Sequence, residues 1–265
     1  MTNIQIQDII CDLLEAAWEL EMETANGHQY PVEFLVDWLP KDQLNMEGKK
    51  YVVVRWIAAT NLPTNKRETI SLKTTNLEID VWSTDPPEAY PQGTNNRQSL
   101  GKQHAWAMKA EIERILKIWK NGWGPAFRIT DPGSKHIIIN NDTLEITPGV
   151  VPSTDLNDTD YDTIGELVTY LQSLLPPNMP IKQLVPDYFI SSDLWQPIDK
   201  DINPQLNVDM GRMFLSDSDN ICQGPAKIDL ASIDYDNINP AHEFRANPVN
   251  WRFIIPTTIE YYDCT

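Results

Sequence analysis

Two acidic residues separated by one position, Glu78 and Asp80 in the run NLEIDVWS, are the pair in this chain whose type and spacing could do chemistry. On a strand, side chains at i and i+2 leave the same face, so two carboxylates there could hold a divalent cation and activate water. The arrangement loosely matches the acidic strand of a magnesium-dependent nuclease, without the lysine expected beside it. Alternation alone also puts polar residues on the solvent side of a half-buried strand. A second acidic group, Asp155, Asp158, Asp160 and Asp162, has the oxygen-rich texture that calcium favours. Counted from Asp158, however, the sixth position is Thr163 instead of glycine and the twelfth is Thr169 instead of glutamate. That excludes an EF-hand and leaves an acidic approach to a helix N-terminus.

Other chemistries find no purchase. His28, His104, His136 and His242 are scattered, and His104 has no second His or Cys one helical turn away, so it reads as a surface or satisfied core histidine. Cys11, Cys222 and Cys264 form no C-x-x-C pair, which points to a reducing compartment and, for Cys11, to a buried helix position. The G-x-S-x-G, H-E-x-x-H, Walker and G-x-G-x-x-G patterns are absent. No catalytic residue, metal ligand or cofactor is assigned on these grounds, and an enzyme is not expected.

Charge narrows the partners. The 265 residues carry a formal net charge of −17, and the imbalance is concentrated at one end. Residues 1–130 hold 14 Lys and Arg against 17 Asp and Glu, whereas residues 131–265 hold 7 against 21. Such a surface lacks the clustered cations that displace counterions from nucleic acid, so sequence-reading DNA and RNA binders are excluded. A composition of 41% apolar and 22% charged residues is that of a folded chain. No apolar run is long enough for a membrane span, and the N-terminus lacks the basic start and apolar core of a signal peptide, so neither membrane residence nor export by the usual route is expected.

The elements that must position these residues follow from periodicity. Ile6, Ile9, Ile10, Leu13, Leu14, Ala17 and Trp18 recur every three or four residues and predict an amphipathic helix over 3–23, started by Thr2 or Asn3, with Glu15, Glu19, Glu21 and Glu23 on its solvated side. YPVEFLVDWL and KYVVVRWIAA read as strands. In the next strand, ending at Thr84, Leu77, Ile79 and Val81 alternate with Glu78, Asp80 and Trp82. A Pro- and Gly-rich loop then leads into a long helix with Ala105, Met108, Ile112, Ile115, Leu116 and Trp119 on one stripe and Lys109, Glu113 and Lys117 outside, the last two as an i,i+4 pair.

Beyond this helix AFRIT, KHIIIN and TLEIT predict strands, the last two as a hairpin. From 148 to 248 prolines, Asp and Asn dominate, and one helix, over 164–175, is expected with Asp162 or Thr163 as its cap. The closing WRFIIPTTIEYY predicts a strand that returns to the N-terminal sheet, with Pro256 marking an edge or bulge. The fold class is therefore α+β: a mainly antiparallel sheet packed by an N-terminal and a central helix, with a long acidic Pro/Asp/Asn-rich insertion. The expected division is a core of 1–147 plus 249–265 and an insertion lobe of 148–248.

This order of elements resembles the tail terminator and tail-completion (neck) proteins of tailed bacteriophages and related archaeal viruses. IQDIICDLLEAAW, NLEIDVWS, QHAWAMKAEIERILKIW and WRFIIPTTIEYY carry the resemblance, over about half of the chain. It implies a non-enzymatic virion protein, assembled in the host cytoplasm, that forms a ring of its own copies, usually six, and joins the tail tube to neck and head-completion proteins. The 148–248 lobe departs from the compact pattern of that family. With nine tryptophans available for contacts, Trp82, Asp85, Tyr90, Arg97 and Trp195 are expected at subunit or partner interfaces. The alternative function is a divalent-metal-dependent nuclease or phosphoester hydrolase using Glu78 and Asp80. A third is an adaptor domain with an acidic partner-binding lobe.

Overall fold

The computed structural model describes residues 6–21, 31–37, 49–61, 70–84, 100–120, 124–140, 142–148, 151–156, 161–189, 195–210, 214–215, 222–223, 225–230 and 250–264. Its elements begin with α1 (Ile6–Ala16), β1 (Val32–Val36), β2 (Lys50–Asn61), β3 (Ile70–Thr84) and α2 (Leu100–Ile118). Next come β4 (Gly124–Thr130), β5 (Lys135–Asn140), β6 (Thr143–Thr147), β7 (Val151–Asp155), α3 (Ile164–Leu174) and β8 (Ile181–Gln183). The last are β9 (Ile198–Ile202), β10 (Gln205–Met210), β11 (Phe214–Leu215), β12 (Cys222–Gln223), β13 (Pro225–Leu230) and β14 (Asn250–Cys264). Helices and mainly antiparallel sheets give an α+β fold. No helix among the described residues is long and apolar enough to cross a membrane.

Two compact units divide the chain: one takes Met1–Thr60, Thr74–Lys117 and Ile228–Ile259, the other Asn61–Lys73, Ile118–Lys227 and Glu260–Thr265. The first holds a five-stranded sheet in the order β1-β2-β3-β14-β13. β1 and β2 are parallel, in register from Val32 with Lys50 to Val36 with Val54. The expected stripe of α1 is buried from Ile6 to Leu14, with Cys11 inside it. Each such Ile or Leu contributes about 1.5–3 kcal/mol of transfer free energy. Trp18, just beyond α1, meets Phe34 of β1 edge-on, and Trp106 of α2 meets Phe253 of β14. Strand parity puts Phe34 and Phe253 on the face that carries Leu77, Ile79 and Val81, so both helices cover that one face. Arg114 of α2 ties the helices together, donating from Nη2 to the Ala17 carbonyl, while Glu111 accepts from the Glu19 amide.

Three expectations change here. Lys109, expected outside, is only 3% exposed and pairs with Glu113 at 2.8 Å, so Glu113 reaches back along α2 instead of forward to Lys117. Glu19 is half-buried beside Arg114 instead of freely solvated. β14 does return to the N-terminal sheet, but between β3 and β13 instead of at its edge.

In the second unit β4 is the centre of a three-stranded antiparallel sheet, β10-β4-β8, and β5 and β6 lie inside a four-stranded one, β7-β6-β5-β9. The β5–β6 hairpin forms as its alternation predicts, with Ile137, Ile139, Leu144 and Ile146 buried. α3 starts at Thr163 with a complete capping box closed by Glu166. β4 takes both its partners, and the β5–β6 hairpin its two flanking strands, from 151–210.

Candidate functional site

Glu78 and Asp80 point from the β3 face opposite the helices, as their spacing dictates, but neither carboxylate is left to solvent alone. Arg55 of β2 donates from Nη2 to Glu78 Oε2 at 3.0 Å and lies 2.6 Å from Asp80 Oδ2. Arg252 of β14 donates from Nη2 to the same Asp80 oxygen at 2.7 Å. The guanidinium of Arg252 stacks 4.9 Å from the centre of the Trp82 ring. Asp80 is thereby enclosed, its side chain 4% exposed, while Arg55, Arg252 and Glu78 remain about one-third exposed. Asp80 is not the solvated strand residue that alternation suggests, because two neighbouring strands each lay a cation over it.

This geometry bears on what the pair can do. Burying a carboxylate costs several kcal/mol unless opposite charge and hydrogen bonds compensate it. Here two guanidiniums compensate it, and together with Glu78 the four charges sum to zero. A divalent cation at Asp80 would meet two positive groups already on one of its oxygens. Among the described residues no group of three or more His, Cys, Asp or Glu is placed to hold a metal. Asp80 Oδ1, Arg55 Nε and Arg252 Nε are buried without a hydrogen bond among the described residues.

The other expected residues separate. Trp82 stands beside the cluster as the platform for Arg252. Trp195 lies in the second unit, 4% exposed and packed against Phe127. Asp85, Tyr90 and Arg97, together with Asp158 and Asp160, lie outside the described residues. His104 is buried on α2. Cys11 is buried in α1, where burial and then Asp12, Glu15 and Asp8 push its thiol up to about 12, so it remains a thiol.

Sequence reasoning missed His136 as well as the two arginines. On the outer side of β5 its Nδ1 lies 2.7 Å from Asp201 and its Nε2 2.7 Å from Asp199, both on β9. These hydrogen bonds, that with Asp201 first, raise its pKa above the ordinary histidine value. The aspartates occupy i and i+2, a local signal for a shared face; the strand they flank is not a local signal. Comparison with protein families, curated proteins and solved structures gives no match.

Proposed function

We propose that this chain is a structural, non-enzymatic virion protein of a tailed virus, a ring-forming tail terminator or neck component that joins the tail tube to the head-proximal neck. The observation that carries this reading is a side-chain cluster on the face of the first unit's sheet opposite the helices. There Arg55, Arg252 and Trp82 form a rigid cluster flanked by the exposed Ile57 and Ile254. Arginine and tryptophan with neighbouring apolar groups are a composition enriched at protein contacts. The order helix, strands, helix and closing strand, gathered into one sheet with both helices on one face, supports the resemblance seen in the sequence. In this reading Glu78 and Asp80 hold the arginines in place. The strongly acidic 131–265 half discourages adhesion of DNA passing close by.

The test is assembly. Purified full-length chain examined by negative-stain microscopy and native mass spectrometry is expected to form closed rings of identical subunits that add to the ends of tail tubes. A chain that stays monomeric and leaves tail tubes unchanged overturns the proposal.

A further inference from the structure

The geometry points to a proton-operated clasp: His136 of β5, protonated on both ring nitrogens, holds the edge strand β9 on the four-stranded sheet, and losing one proton loosens that strand. β9 is the last strand of the order β7-β6-β5-β9 and pairs within that sheet with β5. Its sequence IDKDI gives it little to bury, since of its five residues Ile202 alone is buried and Asp199, Lys200 and Asp201 are exposed. A short polar edge strand of this kind covers the backbone groups of the strand behind it, which would otherwise be a template for a foreign chain. Whatever sets the hold of β9 therefore sets how well the β5 edge is covered.

That hold includes a side-chain contact as well as a ladder. In the register of β5 with β9, His136 stands opposite Asp201 and Ile138 opposite Asp199, so one imidazole reaches two carboxylates on the same face. His136 Nδ1 lies 2.7 Å from Asp201 Oδ1, and Nε2 lies 2.7 Å from Asp199 Oδ1. An ionised carboxylate only accepts, and a neutral imidazole has a single N–H, so both contacts are hydrogen bonds only in the imidazolium. When a proton leaves, one ring nitrogen turns a lone pair toward a carboxylate. The two aspartates then lose the positive charge that lay between them.

The other charges on this face favour the closed form. On β6 the residue opposite His136 is the uncharged Thr147, and Glu145 follows opposite Ile138; β7 adds Asp155 opposite Thr143. Among the described residues of this sheet no cation shares that face, because Lys135 and Lys200 leave by the other side, as Ile137 does. The bonds to Asp201 and then Asp199 raise the His136 pKa above its ordinary value. The clasp is therefore closed below about pH 6.5 and opens as pH rises through the raised value. The His136 side chain is 37% exposed and those of Asp199 and Asp201 80% and 82%, so water screens these contacts. The clasp accordingly governs fraying of one edge strand and not unfolding of the unit.

Hydrogen–deuterium exchange of the full chain, read by mass spectrometry as protection factors so that the intrinsic pH dependence of exchange is removed, tests this. Three proteins are compared: wild type, His136→Gln, and the double variant Asp199→Asn with Asp201→Asn. In wild type the protection of Ile198–Ile202, taken relative to the inner strand β6, is expected to fall about twofold to fivefold between about pH 5.5 and about pH 9. His136→Gln, neutral throughout, should sit at the lower level at both ends of that range. The double variant should also lose the pH dependence, and its changes fall on side chains that stand in solvent. A wild-type ratio that stays constant across the range overturns the clasp, as does a pH dependence that persists in His136→Gln. If circular dichroism shows that His136→Gln does not fold, the double variant decides in its place, and a pH dependence that persists there overturns the clasp.

Discussion

Replacing Asp80 by asparagine removes the charge on which two arginines converge while keeping the side chain's shape. A hydrogen bond to a charged group contributes about 1.5–3 kcal/mol net, and Asp80 Oδ2 has two such partners. Two effects reduce that sum. Arg55 and Arg252 are about one-third exposed and rehydrate in part, as members of exposed pairs do. The desolvation cost of the buried carboxylate also disappears with its charge. The expected loss is about 2 kcal/mol, or roughly 4–8 °C in the melting of the first unit. Glu78→Gln, which removes an acid about one-third exposed with a single arginine partner, is expected to cost about 0.5 kcal/mol or less. Thermal unfolding followed by circular dichroism measures both, and a cycle with Arg252→Gln should show a coupling of about 1 kcal/mol. An Asp80→Asn protein within about 0.5 kcal/mol of wild type refutes the account of Asp80 as the anchor of the cluster. The same variant examines the nuclease alternative, because magnesium-dependent cleavage that vanishes with Asp80→Asn would give the carboxylate a catalytic role instead.

Gly124→Ala would drive a Cβ into the Trp119 ring, which is 1% exposed and has little room to move, so a loss of about 1–3 kcal/mol is expected in urea unfolding. Thr163→Ala removes the capping-box oxygen that accepts from the Glu166 amide and should cost about 0.5–2 kcal/mol, read from the same urea curves. His136 should titrate above about 6.5, the unfolded value, in an NMR titration of its ring protons. Because its folded pKa is raised, the stability it adds is fully present below that unfolded value and fades as pH rises through the folded one. Asp201→Asn should move its midpoint back toward about 6.5, and a midpoint that does not move removes Asp201 as the cause.

Much of the local structure was legible in the residues. The stripe of α1, the alternation of β3, the span of α2, the β5–β6 hairpin and the Thr163 cap all follow from spacing within a few residues, because side-chain direction is fixed by local backbone geometry. Asp80 shows where that legibility stops. Its spacing announced a side chain on the polar face, but its partners come from Arg55 and from Arg252, the latter 172 positions away in the chain. Lys109 shows the same thing on a helix: its stripe position reads as exposed, and packing buries it beside Trp106 and Glu113.

The partners of β4, β5 and β6 were hidden for a related reason. β4, β5 and β6 look alike whether their neighbours come from before or after them, and the flanking β8, β9 and β10 are too short and polar to announce themselves. By itself the sequence determined which segments become helix or strand and which face each buries, since both depend on residues a turn or two apart. Only the tertiary structure decided which strands pair and which charges meet across them, because those depend on chain ends brought together over distances that no local pattern records.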